Sequence, residues 1–420
     1  MMKHSQTSQG EHNEGGPTRP LWRNRDFLLL WSGQTISTLG TNISTLALPL
    51  LALAFTHSPA QAGFLTAMRQ VPYLLFSLPA GALIDRWNRK SVMITCDLVR
   101  WLALGSVPLA FVPGHLTLLH LYIVAFVEGT AYVLFSIAQI SALPHVVPSA
   151  HLPQAYALDT TTEYIGTLIG PSVGAFIIGL APILVTGAML AYLADSGSYL
   201  VSVLSLLFIH ISFQAKREIG NRQGLFKEIA QGLRFLWEQP LLRVMVVLTT
   251  VINFLQSPLD LILIVLARGS LHSSVQALGF LLSAGGVGGV LGGLLAPWLR
   301  GRLRFGHVVI GSVIIWALAG LLLAFAPSMP VLMLGKFLVS FTWPVYGVTL
   351  VSYRLSLTPD ELQGRVNSAF RFLSYGSEPL GAAVGGLLLV ALGPRMVLGL
   401  ITAGFVLSLL AISRTEVRRA

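Results

Sequence analysis

Between residues 27 and 413 the chain returns repeatedly to apolar runs of twenty or more residues with almost no charge in them. A run of about 20 apolar residues is long enough to cross a hydrocarbon core of about 30 Å as a helix, and none of these runs shows the period-2 alternation of an outer-membrane strand. In lipid every backbone N–H and C=O must find its partner within the protein, so runs of this kind can only be helices. They fall near residues 27–52, 61–84, 92–112, 118–142, 156–180, 184–210, 241–267, 274–298, 307–327, 330–352, 364–390 and 394–413. The composition agrees, with 54% hydrophobic and 10% charged residues, against roughly 25% charged in soluble proteins. The expected fold class is an all-α integral membrane protein with about twelve transmembrane helices.

A formal charge of +10 raises the question of nucleic acid, and the placement of the cations answers it. Only Arg268 and Arg395 fall in loops on one side, and Arg69, Arg100 and Lys336 fall inside spans; every other Lys and Arg lies on the opposite side. That is the positive-inside bias. It predicts both termini in the cytoplasm of a cell whose plasma (inner) membrane the chain crosses many times, and it leaves no need for a nucleic-acid partner. Residues 1–25 are polar and lack an apolar signal-peptide core, so they are expected to form a disordered cytoplasmic tail. Cys96 is the single cysteine, which rules out a disulfide framework.

One long polar interruption, 212–240, divides the chain into a first bundle over 26–211 and a second over 241–413, with a short tail at 414–420. Within the interruption Leu225, Ile229, Leu233, Leu236 and Trp237 recur at helical spacing, which predicts an amphipathic linker helix at the membrane surface. The halves resemble each other: "VPSAHLPQAYALDTTTEYIG" (147–166) leads into the fifth span and "TPDELQGRVNSAFRFLSYG" (358–376) into the eleventh. Internal repeats of this kind build many secondary transporters, with the substrate site at mid-membrane between them. The hairpin "GALIDRWNRKS" (81–91) has a degenerate copy, "GGLLAPWLRGRLRFG" (292–306), in which Pro297 stands opposite Asp85. The cations persist in the copy and the acid does not, so the acid needs its own explanation.

Gly81, Leu83, Asp85, Arg86, Arg89 and Lys90 match the motif that joins the second and third spans in the major facilitator superfamily, and the chain resembles that superfamily over residues 21–413. Asn88 replaces a customary glycine and is expected to hold the turn in the left-handed region. Gly166, Gly170, Pro171 and Gly174 in "GTLIGPSVGAF" resemble the motif of the superfamily's exporters, with Ala175 in place of its last glycine. "NRDFLLLWSGQTISTLG" (24–40), "CDLVR" (96–100), "QGLRFLWEQPLLR" (231–243) and "LQGRVNSAF" (362–370) are similar to the subgroup of macrolide-efflux proteins and enterobactin exporters. Members often carry an acid after the Leu-Gly of the first span; here Thr41 and Asn42 stand there.

The resemblance implies two pseudo-symmetric six-helix bundles and a monomeric secondary active transporter working by alternating access. It implies no enzymatic activity and no cofactor, with the proton gradient as driving force. The expected cargo is a small lipophilic, drug-like compound of macrolide type, with a role in antibiotic resistance. A siderophore exporter is the alternative; a non-transporting sensor or assembly partner on the same scaffold is a third reading.

An ionisable side chain within a span is expensive and therefore functional or paired. The candidates are Arg69, Asp97, Arg100, Glu128, Asp159, Glu163, Asp195, Asp260, Lys336 and Glu378. Glu128, Glu163 and Glu378 are the expected proton-exchanging or substrate-binding acids, with Arg69 as their counter-charge or as a site for an anionic substrate. Asp97 and Arg100, three residues apart, can pair locally, and Asp195 is expected to be structural. Trp31, Tyr73, Phe135, Tyr164, Phe254, Trp343 and Tyr346 are available to line an apolar cavity. The glycine run "SAGGVGGVLGG" (283–293) lies inside a span and is read as close helix packing. No Gly-x-x-x-x-Gly-Lys-Ser/Thr loop or metal-ligand cluster is present. Asp85 is expected to act as a conformational gate, latching onto the helix that begins near Arg365 and carries Arg371.

Overall fold

The structure, a computed structural model, describes residues 21–84, 86–211, 213, 225–359 and 362–415. Most of the N-terminal tail, Asp85 and residues 416–420 thus lie outside the described residues. The first half comprises α1 (Arg25–Thr56), α2 (Pro59–Ile84), α3 (Arg89–Phe111), α4 (Leu118–Val146), α5 (Leu152–Gly179) and α6 (Leu184–Leu207). A linker helix α7 (Leu225–Glu238) follows, then α8 (Pro240–Gln256), α9 (Leu259–Gly269), α10 (Val275–Arg302), α11 (Phe305–Ala324), α12 (Met329–Leu357), α13 (Gln363–Gly376) and α14 (Glu378–Ser413).

Nine segments among the described residues are long and apolar enough to cross a membrane. The segment Gln363–Ser413 crosses twice, because Gly393 adopts φ 76°, a left-handed turn that glycine takes without steric cost, and Pro394 restarts the helix. α2 and α5 have comparable length but carry Arg69 and, on α5, Asp159 and Glu163. With these the described chain makes twelve crossings, and the fold is the expected all-α bundle.

Two spans are broken in a way the sequence reading did not anticipate. The seventh is split at Ser257–Pro258 into α8 and α9, and the eleventh at Ser377 into α13 and α14. The breaks adjoin. Asn253 donates through Nδ2 to the Ser374 carbonyl at 2.9 Å, the Ser377 hydroxyl donates to the Thr250 carbonyl at 2.9 Å, and the Ser257 hydroxyl donates to the Glu378 carbonyl at 2.8 Å. Backbone carbonyls in and beside the interrupted turns are thus met by side chains, as an apolar surrounding demands.

At the start of α3, Asn88 corrects an expectation. Its φ of −69° and ψ of 112° are extended, not left-handed, and its side chain caps α3 by accepting from the Ser91 N–H. Asn is therefore suited to this position as a helix N-cap.

Glycine sets how closely helices approach. Gly33 and Gly40 let α1 lie against Ser205 and Ser198 of α6, while Gly285, Gly288 and Gly292 bring α10 onto α12. Contacts between the halves are reciprocal: α2 packs on α14, and α5 packs on α10. Second span meets eleventh and fifth meets eighth, the pairing that a two-fold relation between six-span repeats requires. A Cβ on Gly63 would lie 2.7 Å from Gly386 Cα, and one on Gly286 would lie 2.2 Å from Leu168 Cα. These close approaches lie in the part of the bundle away from the chain ends. Toward the terminal face Gly81 has nothing within 4 Å, and Leu83, Tyr156 and Trp298 are exposed. Helix α7 lies under the second half, with Gly232 against the Arg365 backbone.

Gly286→Leu forces backbone apart from backbone, and overpacking of this kind costs about 1–3 kcal/mol. It is expected to lower the thermal stability of the purified protein, whereas Gly81→Ala is expected to leave it unchanged.

Candidate functional site

The densest polar cluster lies inside the first half. Arg69 of α2 donates to Glu128 of α4 through Nε at 2.5 Å and Nη2 at 3.3 Å. Arg100 of α3 donates to the same carboxylate at 3.1 Å, to the Tyr199 hydroxyl of α6 at 2.6 Å and to the Thr41 hydroxyl of α1 at 3.3 Å. Arg100 also lies 3.7 Å from Asp97 and over the Tyr199 ring at 3.9 Å. Glu128 is thereby held between two guanidiniums with a side chain only 5% exposed, while Arg69 is 28% exposed. The structure thus brings Arg69 and Glu128 together as charge and counter-charge, and adds a second cation, Arg100.

Glu163 and Glu378 are placed differently. Glu163, midway along α5, is exposed, and Glu378, in the first turn of α14, is half-buried. Neither carboxylate has a hydrogen bond or ion pair among the described residues, and they belong to opposite halves. Asp159, one turn before Glu163, accepts from Gln139 Nε2 at 3.0 Å, and Trp31 donates to the Thr162 hydroxyl at 3.1 Å.

The residues of the hairpin motif separate into two groups. Arg89 donates to the carbonyls of Ser141 at 2.9 Å and Phe213 at 3.2 Å, and Lys90 donates to the Ile209 carbonyl at 2.7 Å. These cations satisfy carbonyls on α4 and beyond the end of α6, which anchors the hairpin to its own half. Arg86 is exposed. On the other half, Arg365 donates to Gln231 of α7 at 2.6 Å. Arg371 sits over the rings of Tyr73 at 5.9 Å and Tyr375 at 5.7 Å, which themselves meet edge to face at 5.5 Å across the two halves. Asp85, the expected gate residue, lies outside the described residues.

Gly166, Gly170 and Gly174 all face α1, against Asn42 and Ile43, while the Pro171 carbonyl is turned to Gly279 of α10. The motif thus packs α5 against its own half, and glycines of α10 supply the contact across the interface. Two aromatic expectations are corrected: Phe135 and Tyr346 are buried, Tyr346 in a cluster with Trp316 and Trp343. Sequence reading also missed Arg354, which is buried, donates to Asn367 at 2.6 Å and lies over Phe370. It left the partner of Lys336 unassigned, and the structure pairs it with Asp260.

Removing one partner of a buried ion pair leaves the other uncompensated, at a cost of about 3–5 kcal/mol. Glu128→Gln is therefore expected to lower thermal stability far more than Glu163→Gln, as read by unfolding of the two purified variants side by side.

The family model described as transmembrane secretion effector matches residues 16–420. The multidrug efflux pump Tap of Mycolicibacterium fortuitum is 25% identical over 377 residues, 87% of this chain and 90% of that protein. The enterobactin exporter EntS of Escherichia coli O81 (strain ED1a) is 26% identical over 377 residues, 86% of this chain and 85% of that protein. Among solved structures, the nucleoside transporter NupG aligns with a TM-score of 0.73 at 15% identity, over 92% of this chain and 98% of that one. A bacterial homologue of the human lysosomal transporter Spinster, inward-facing and unoccupied, aligns with a TM-score of 0.71 at 15% identity, over 94% of each chain. The structural likenesses carry the fold; the family match carries membership. Two six-span halves in reciprocal contact, efflux proteins among the relatives and a family match across nearly the whole length place this chain in the transmembrane secretion effector family of the major facilitator superfamily, whose members are membrane transporters and not enzymes.

Proposed function

We propose that this chain exports a small lipophilic, drug-like compound of macrolide type in exchange for protons, by alternating access and as a monomer. The observation that carries the reading is the pair of carboxyls, Glu163 and Glu378, that lie in spans of opposite halves with no cation beside them. A carboxyl so placed is the kind of group that takes a proton from one side and gives it up on the other. Glu128, clamped by Arg69 and Arg100, is assigned to holding its half together. The positive-inside bias supports a plasma-membrane orientation with both termini in the cytoplasm, so the terminal face is the cytoplasmic side. Asp85 remains the proposed latch, engaging the Arg365–Arg371 segment when that side closes. The likeness to a multidrug efflux pump supports a drug-like cargo.

A second reading, export of a siderophore, is favoured by the relative named as an enterobactin exporter and by Arg371, an exposed cation where the halves meet, suited to an anionic ligand.

Cells with and without the gene, loaded with labelled macrolide in the presence and absence of an uncoupler, test the first reading. Deletion is expected to raise accumulation and the uncoupler to erase the difference. Glu163→Gln and Glu378→Gln are expected to lose uncoupler-sensitive efflux while retaining wild-type amounts of folded protein. Equal accumulation under all conditions, across a panel of lipophilic compounds, overturns the assignment.

A further inference from the structure

The first half holds one buried carboxyl that neither the arginine clamp nor the cleft employs. Asp195 on α6 is 1% exposed. Its Oδ2 is hydrogen-bonded to the Ser44 hydroxyl of α1, and its Oδ1 has no hydrogen-bond partner, lying instead over Gly40. The carboxyl borders a small cavity whose other polar walls are Ser44, Arg69, Glu128 and Tyr192, and the Tyr192 hydroxyl is likewise without a partner.

Two independent counts meet at this carboxyl. The first is of charge. The ionisable groups around it are Arg69 from α2, Asp97 and Arg100 from α3, Glu128 from α4, and Tyr192 and Tyr199 from its own helix. Helix α1 brings only the hydroxyls of Thr41 and Ser44, and no α5 residue borders the cavity. Three carboxyls stand against two guanidiniums, so with every one ionised the buried cluster lacks one positive charge. An uncompensated buried charge is costly.

The second count is of partners. Ser44 has one hydroxyl hydrogen and two acceptors, the Thr41 carbonyl at 3.1 Å and Asp195 Oδ2. The Thr41 carbonyl also accepts from the Thr45 hydroxyl at 3.0 Å, so the Ser44 hydrogen is available to Oδ2; an ionised Asp195 still leaves its Oδ1 buried with neither a donor nor a salt-bridge partner among the described residues. A proton on Oδ2 removes that unpaired charge: Asp195 then donates to Ser44 Oγ, and the Ser44 hydrogen turns to the Thr41 carbonyl. Asp97 Oδ1 likewise has no hydrogen-bond partner, but the Arg100 guanidinium stands 3.7 Å from it. The other oxygen of Asp97 accepts from Ser202 at 2.6 Å, whose oxygen accepts from Gln34 Nε2 at 3.0 Å.

We propose that Asp195 is a proton-carrying site, holding one proton between its Oδ2 and Ser44 Oγ and so bringing the buried cluster to neutrality. Release of that proton leaves a net negative charge beside Arg69 and Arg100, which couples proton occupancy to the clamp joining the helices of this half. The site goes beyond the exchange assigned to Glu163 and Glu378 and does not depend on it.

Infrared spectroscopy of the purified protein in lipid at neutral pH reads the proton directly, with no transport measured. The wild type is expected to show a C=O stretch of a protonated carboxyl that shifts in D2O. That component should be missing from Asp195→Asn and retained in Glu163→Gln and Glu378→Gln. Asn can donate to Ser44 as the protonated acid does, so the variant is expected to keep wild-type thermal stability. Ser44→Ala removes the acceptor and should move the band without abolishing it. A spectrum that Asp195→Asn leaves unchanged, or a band that Ser44→Ala does not move, overturns the proposal. Because efflux is not read, failure of the Glu163 and Glu378 assignment is seen separately, in the accumulation assay.

Discussion

Arg100 is the point at which the first half is tied together. Through Thr41, Glu128, Tyr199 and, one step further, Arg69, it joins α1, α2, α3, α4 and α6. A guanidinium has five N–H donors and no acceptor, so inside a membrane span it organises every acceptor within reach or it is not tolerated. Arg100 meets much of that demand through Nη2, toward Thr41, Glu128 and Tyr199, with Asp97 3.7 Å from Nη1.

The second half has nearly the same backbone arrangement and different chemistry. Its core is aromatic and aliphatic, built on Trp316, Trp343, Tyr346 and Phe405. Its ion pair among the described residues, Asp260 with Lys336, leaves the Asp260 side chain 48% exposed. Its polar interest lies instead where the seventh and eleventh spans break side by side. Pseudo-symmetry therefore holds for topology and not for electrostatics: one half is rigidified by charge, the other is interrupted in two of the helices that meet its partner.

What was legible in the sequence follows from how local each signal is. Apolar runs set the spans, the polar interruption after residue 211 set the halves, and the glycine run at 283–293 pointed to close packing, which Gly285, Gly286, Gly288 and Gly292 show against α12 and α5. The breaks were not legible, because proline is a poor marker here: Pro49, Pro72, Pro108 and Pro344 all sit within continuous helices. Partner choice was legible only in part. Asp97 and Arg100 are neighbours on one helix, whereas Glu128 finds its cations 28 and 59 residues away. Depth along a span says nothing about which way a side chain faces, and that direction separates Glu128, enclosed in its bundle, from Glu163, open to the outside of it.

The contact between the halves is made in large part by glycine. Where Gly63 meets Gly386 and where Gly286 meets Leu168, main chain lies against main chain with no side chain interlocked. Dispersion accumulates with the number of atoms in contact, and such a surface offers few. At these two points the joint has little to unhook; elsewhere the halves are tied by a hydrogen bond between the Ser172 and Ser283 hydroxyls at 2.8 Å and by the Tyr73–Tyr375 ring contact. Under the proposed alternating access, in which the halves part and rejoin, a glycine joint is the one that leaves the fewest side chains to disengage.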